Sequence, residues 1–354
     1  MAVLASGYDG PPELTLTTAV TQWTADLPVI VFVVILGGCY LAAARKVRQA
    51  GGRWGTGRTV AFCGVGLGVL VIATMSWIGV YQNILFYARA TQTVLLVLVV
   101  PLFLAMGKPL TLLGAAFPGA GRRAGAAVRS RAVVVVTFPA ITALALVAVP
   151  MTMYFTSWYT ATFHNDAIRE LTYLALMVPG YIFFWTLLRV DPVPKEYPYG
   201  VSMWITAAEV VGDAFFGIAI IAYTGLIAGP YYHSVGFPWG PSLATSQVIG
   251  GGIIWILGDL VGLPFLAVQL IQLMREDQAE AAVIDAELDA RDAARAAAAA
   301  MTATDTPADG TLPDGTPADG TPADGGSPPA GTVPADDHPW WETDPRFTER
   351  CGKA

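Results

Sequence analysis

The sequence predicts an all-α fold, a polytopic membrane protein built as a bundle of seven transmembrane helices with a disordered cytoplasmic tail. Three observations lead there. Hydrophobic residues make up 54% of the chain and charged residues 13%, whereas soluble domains carry about 25% charged residues. Seven apolar segments are each long enough to cross a bilayer, which takes ~20 helical residues. Basic residues fall only in alternate connections between those segments, so the chain threads the membrane in one consistent sense.

Residues 1–26 read as a short polar extracytoplasmic leader that lacks the basic n-region of a signal peptide. The transmembrane domain covers 27–275, with spans at 27–44, 59–80, 88–106, 133–155, 168–189, 201–228 and 248–274. Arg45, Lys46, Arg48, Arg53 and Arg58 follow the first span, and Lys108, Arg122, Arg123, Arg129 and Arg131 follow the third. Arg189 and Lys195 follow the fifth and Arg275 the last. The other connections (YQNILFY, TSWYTATFHNDA, GPYYHSVGFPWGPSLATS) hold no Lys or Arg and are rich in Trp and Tyr. The positive-inside rule then places the N-terminus outside and the C-terminus inside.

Beyond the spans, residues 276–300 are charged and Ala-rich and predict a cytoplasmic helix. Residues 301–337 form a disordered Pro/Gly/Asp-rich linker, with TPADG-like pentads repeated over 305–325, that cannot build a core. Residues 338–354, with HPWWETDPRFTER, form an aromatic and charged peptide that suits either docking on a partner or resting on the protein's own membrane face. The net charge of -7 comes mainly from the C-terminal stretch beyond Arg275 and leaves no nucleic-acid footprint.

Charge inside the spans marks the candidate site, because an ionised group at the bilayer centre costs roughly 2.5–3.5 kcal/mol even on lenient scales. Glu209 and Asp213 stand four residues apart, on one face of the sixth span. Arg89, Arg169, Glu170 and Asp259 complete the set. Counting depth at about 1.5 Å per residue gives an outer tier of Arg89, Arg169 and Asp213 and a deeper tier of Glu209 and Asp259. The set reads as a polar cavity opening outward; the alternative is that the arginines reach to interfacial water and Asp213 pairs structurally.

Metal and catalytic motifs are sparse. His164, His233 and His338 lie in connections or the tail, without a partner one helical turn away. Met151 and Met153 offer soft thioether ligands for Cu(I). Cys39, Cys63 and Cys351 form no CxxC pair and read as buried or incidental. Gly250, Gly251 and Gly252 lack the Lys-Ser of a phosphate loop and read as a helix-packing stretch. No nucleophile–base set is present in the pattern, which points away from an enzyme.

Several of these stretches resemble one family. SQVIGGGIIWILGDL at 246–260 and the GPYYHSVGFPWG before it are similar to the seventh-span region of CtaG-like cytochrome c oxidase assembly proteins of the actinobacterial type. So are residues 85–113, 168–194 and 212–220, and the tail PWWETDPRFTER. The resemblance covers about 58–275 plus that tail. It implies an accessory role toward a haem-copper oxidase in the bacterial cell (cytoplasmic) membrane, with oxidase subunits or copper chaperones as partners beside the lipid bilayer. It also implies histidines, as copper ligands, where this chain has Arg89, Thr93, Arg169, Tyr173 and Asp213.

The expectation is therefore a divergent assembly factor with no cofactor of its own, whose copper position has become an ion-paired cavity through Arg89–Asp213 and Arg169–Asp213. A transporter or conduit for protons or metal ions through Glu209, Asp213 and Asp259 is the competing expectation, although no inverted repeat is visible.

Overall fold

The computed structural model describes residue 8, residues 10–195 and residues 197–304. The tail peptide at 338–354, with His338 and Cys351, lies outside them, as does the linker beyond Thr304. The chain divides into two compact units at Leu288 and Asp289. No strand occurs among the described residues. Among the described residues six helices are long and apolar enough to span a membrane, and a bent pair makes seven.

Each helix begins where the local chemistry allows. A short α1 (Leu16–Thr21) is closed by reciprocal Thr15 and Thr18 hydroxyl bonds. α2 (Leu27–Gln49) starts on Asp26, whose side chain accepts from the Val29 amide at 3.3 Å, with Pro28 in the first turn. α3 (Thr56–Tyr81) is widened into π-helical turns at Val60–Gly66 and interrupted at Ser76. α4 (Phe86–Ala116) carries a second π-helical stretch, Leu95–Val99, just ahead of Pro101, and breaks at Gly107–Lys108, where Lys108 adopts φ 53°.

The fourth apolar segment departs from the continuous span expected at 133–155. α5 (Pro118–Val128) and α6 (Arg131–Val136) precede a stop at Thr137–Phe138. The residue before a proline is pushed out of the helical region, and Phe138, before Pro139, is extended with ψ 123°. α7 (Pro139–Phe155) then runs to Thr156, and α8 (Ser157–His164) leaves it at 72°. The stretch after Phe155, expected as a connection, is thus largely helical.

α9 (Asp166–Leu188) and α10 (Tyr199–Ala222) follow, then α11 (Gly229–Val235) and the long α12 (Leu243–Thr304). α4 sits centrally, packed on α3 and α9, while α7 packs on both α9 and α10. Lipid tails are as apolar as side chains, so close packing rather than water exclusion must hold such helices together. Glycines provide the closeness. A Cβ on Gly180 of α9 would strike the Val97 carbonyl of α4, and one on Gly251 of α12 would lie 2.8 Å from the Gly217 carbonyl of α10.

Candidate functional site

Arg89 is the largest fully enclosed side chain in the bundle, only 1% exposed. It projects from the first turns of α4 into a shell of neutral acceptors. Its Nη1 donates to Gln82 Oε1 at 2.6 Å and to Gln92 Oε1 at 3.1 Å, and its Nη2 donates to Thr162 Oγ1 of α8 at 2.9 Å. The shell is itself tied down. Tyr173 of α9 donates to Gln82 Oε1 at 3.1 Å, and Gln92 Nε2 donates to the Ala73 carbonyl of α3 at 2.9 Å. Thr93 donates to the Arg89 carbonyl at 2.9 Å and meets the Tyr154 hydroxyl of α7 at 3.1 Å. Five helices are thereby joined through one guanidinium and its neighbours.

An aromatic layer closes this network. Tyr154 stacks on Tyr159 with centroids 4.8 Å apart, and the Tyr159 ring lies 5.9 Å from the Arg89 guanidinium. Tyr159 and Tyr232 share a hydroxyl contact of 2.8 Å. Phe86 and Phe216 pack against Tyr154 at 5.3 and 5.8 Å.

The expected pairing of both arginines with Asp213 does not form. Tyr154 is the reason for Arg89: it touches Thr93 of α4 with its hydroxyl and Phe216 of α10 with its ring, and so stands between the two helices. Asp213 turns toward α12, where a Cβ on Gly258 would lie 2.8 Å from its Oδ2. There it lies beside Glu209, one helical turn away on the same face, and both sit within electrostatic reach of Asp259. Glu209 and Asp213 are buried, 4% and 7% exposed, and neither has a cation within 4.0 Å among the described residues.

Arg169 is drawn elsewhere. It contacts Asp166 at 2.7 Å, Glu170 at 3.3 Å and Asp26 at 3.9 Å, linking the start of α9 to the start of α2. The single cavity expected of Arg89, Arg169, Glu170, Glu209, Asp213 and Asp259 is therefore three separate clusters. Met151 and Met153 stand two residues apart on one helix and so point to different faces; Met153 is fully buried in the core.

Copper does not fit the positions where the resemblance implies its ligands. A guanidinium has no lone pair to donate, and Arg89 occupies the centre of the site. Thr93 and Tyr173 are committed to hydrogen bonds. Among the described residues no three of His, Cys, Asp and Glu gather as a metal-holding group. Sequence reasoning missed Gln82, Gln92, Tyr154 and Thr162, which carry no charge; Gln92, one turn after Arg89, was the one available cue.

Fold and site together define a multi-pass α-helical membrane protein whose core is locked around a buried arginine. A sequence profile of the cytochrome c oxidase caa3 assembly factor family (Caa3_CtaG) matches residues 38–276, and the chain belongs to that family. Curated relatives include the uncharacterized proteins Mb0105 of Mycobacterium bovis and MT0111 of Mycobacterium tuberculosis, each 28% identical over 80% of this chain. The uncharacterized protein ML1998 of Mycobacterium leprae is 28% identical over 77% of it. The chain spans less than half the length of these relatives, 44% for the first two and 42% for the third. No solved structure matches the chain.

Proposed function

We propose that this protein is a non-enzymatic accessory factor in the assembly of a haem-copper cytochrome c oxidase, and that it works without copper of its own. It would act in the outer half of the bacterial cytoplasmic membrane, N-terminus out and C-terminus in, as the distribution of Lys and Arg favours. One observation carries the reading. Arg89, fully buried and held by neutral acceptors, fills the place where the resemblance implies copper ligands. A network that joins α3, α4, α7, α8 and α9 rigidifies the scaffold, and such a scaffold suits presenting a surface to an oxidase subunit or to a copper chaperone.

The test is removal of the protein from its native membrane. Oxidase activity and the oxidase's own copper content should fall together, and the wild-type chain and a Met151→Leu, Met153→Leu double variant should restore both. Unchanged oxidase in the deleted strain would refute the reading.

A second reading rests on α10. Ser202, Thr206, Glu209 and Asp213 follow one another at four, three and four residues, hence on one helix face, and all four are buried. Gln269 of α12 donates to Thr206 Oγ1 at 2.8 Å. Such a polar stripe suits a conduit for protons or cations. Glu209→Gln and Asp213→Asn separate the readings: altered ion flux in vesicles favours transport, whereas unchanged flux with lost oxidase assembly favours the accessory role.

A further inference from the structure

The strongest feature outside the Arg89 network is a groove between α2 and the last two turns of α4. After the break at Gly107–Lys108, residues Pro109–Ala116 pack back along α2. They leave a cavity of about 570 Å³, within the ~300–1,000 Å³ typical of ligand sites. Leu36, Cys39, Phe62, Leu104, Leu113 and Phe117 contribute to its wall. The one hydroxyl nearby on α2 is already used, because Tyr40 donates to the Gly107 carbonyl at 2.7 Å. Tyr181 of α9 carries the other hydroxyl in the lining, and the rest of the wall is apolar, so what enters the groove must be largely hydrocarbon.

Its edge is cationic. Lys46 Nζ lies 3.8 Å from the centroid of the Phe117 ring, and Arg45 and Lys46 are exposed. Arg122 and Arg123 on α5 are exposed too, and α5 packs on the same Pro109–Ala116 segment. None of the four has an ion-pair partner among the described residues. The sequence explains why: it contains no Asp or Glu between Asp26 and Asp166. The Asp191 carboxylate reaches the groove wall at Leu110. Both its oxygens are spent on the Leu110 and Thr111 amides at 2.9 and 2.8 Å.

We propose that this groove is a binding site for one anionic phospholipid. One acyl chain would lie along Leu36, Cys39 and Phe117, and the phosphate would face Lys46 with its neighbouring arginines. Apolar lining and unpaired cations occur together here, and this lipid class carries both complements. The proposal is independent of the assembly role.

The experiment uses the full chain, equilibrated in vesicles of mixed phosphatidylglycerol and phosphatidylcholine, then transferred to mild detergent for native mass spectrometry. One phosphatidylglycerol per chain should be retained in preference to phosphatidylcholine. Lys46→Gln should cut retention about fivefold at low salt, the factor one cation contributes at an anionic surface. Cys39→Trp, which fills the groove from an exposed position, should reduce retention of either lipid. Equal retention of both lipids, or retention unaffected by both variants, would overturn the site; so would retention of no lipid at all.

Discussion

Replacing Arg89 by leucine removes the centre of the buried network while keeping an apolar side chain in its place. The structure allows the cost to be worked through. Gln82 Oε1 keeps a donor, because Tyr173 still reaches it at 3.1 Å. Thr162 keeps its own bond to the Tyr159 carbonyl at 2.7 Å. Gln92 Oε1 alone loses its donor and stays buried, which costs about 1–3 kcal/mol. The void left by the longer side chain adds roughly 1–2 kcal/mol, scaled from large-to-small core changes. Relief of a buried charge opposes these terms, so a net loss of about 2–3 kcal/mol is expected. The assay is reversible unfolding in mixed micelles, run as a double-mutant cycle with Gln92→Leu. Because Gln92→Leu removes the orphaned acceptor, the double variant should be about 1 kcal/mol more stable than the sum of the singles. An Arg89→Leu protein within roughly 0.5 kcal/mol of wild type, a surface-like effect, would refute the reasoning.

The other clusters give sharper contrasts. Asp191→Ala should cost about 1–2 kcal/mol in the same assay, because it uncaps the Leu110 and Thr111 amides at the start of the Pro109–Ala116 turn. Asp191→Asn should lose less, since a side-chain amide keeps one oxygen that accepts from a backbone N–H. Gly180→Leu should abolish stable folding, since its side chain must enter the Val97 carbonyl and Pro101, whereas Gly38→Ala, with nothing within 4 Å, should be tolerated. Among the Arg169 partners, Asp166→Asn should change stability by less than about 0.5 kcal/mol because its side chain is 87% exposed. Asp26→Ala should cost about 1–2 kcal/mol, as it removes the α2 cap together with a buried charge partner.

The fold was legible because it rests on long-range averages. Apolar length alone placed Thr56–Tyr81 and Asp166–Leu188 to within about three residues at each end, but it ended Leu27–Gln49 and Phe86–Ala116 too early and took the broken fourth segment as continuous. Local backbone events were less visible. The Gly107–Lys108 break and the π-helical turns at Val60–Gly66 leave hydropathy unchanged, while Pro139 announced a stop that the apolar run 133–136 concealed.

The site was legible only as a set of unusual residues. Arg89, Thr93 and Tyr173 do lie in one network, but a depth count along each helix cannot give the azimuth of a side chain. It placed Arg89 and Asp213 at similar levels without revealing that Tyr154 fills the space between their helices, touching Thr93 of α4 and Phe216 of α10. Nor could it show that Arg169 reaches Asp26, a residue assigned to the leader. Two acceptors of Arg89, Gln82 and Gln92, lie close to it in sequence, but the third, Thr162, comes from α8, and the bonds that hold this shell in place come from α3, α7 and α9.

Copper affinity of the purified chain tests the central claim most directly. The protein, with its described histidines and thioethers intact, is titrated with Cu(I) against a competing chelator. An arginine-centred network predicts no high-affinity copper, and no change in affinity on substituting Arg89, Thr93 or Tyr173. One tightly held copper per chain, lost when those positions are altered, would contradict it.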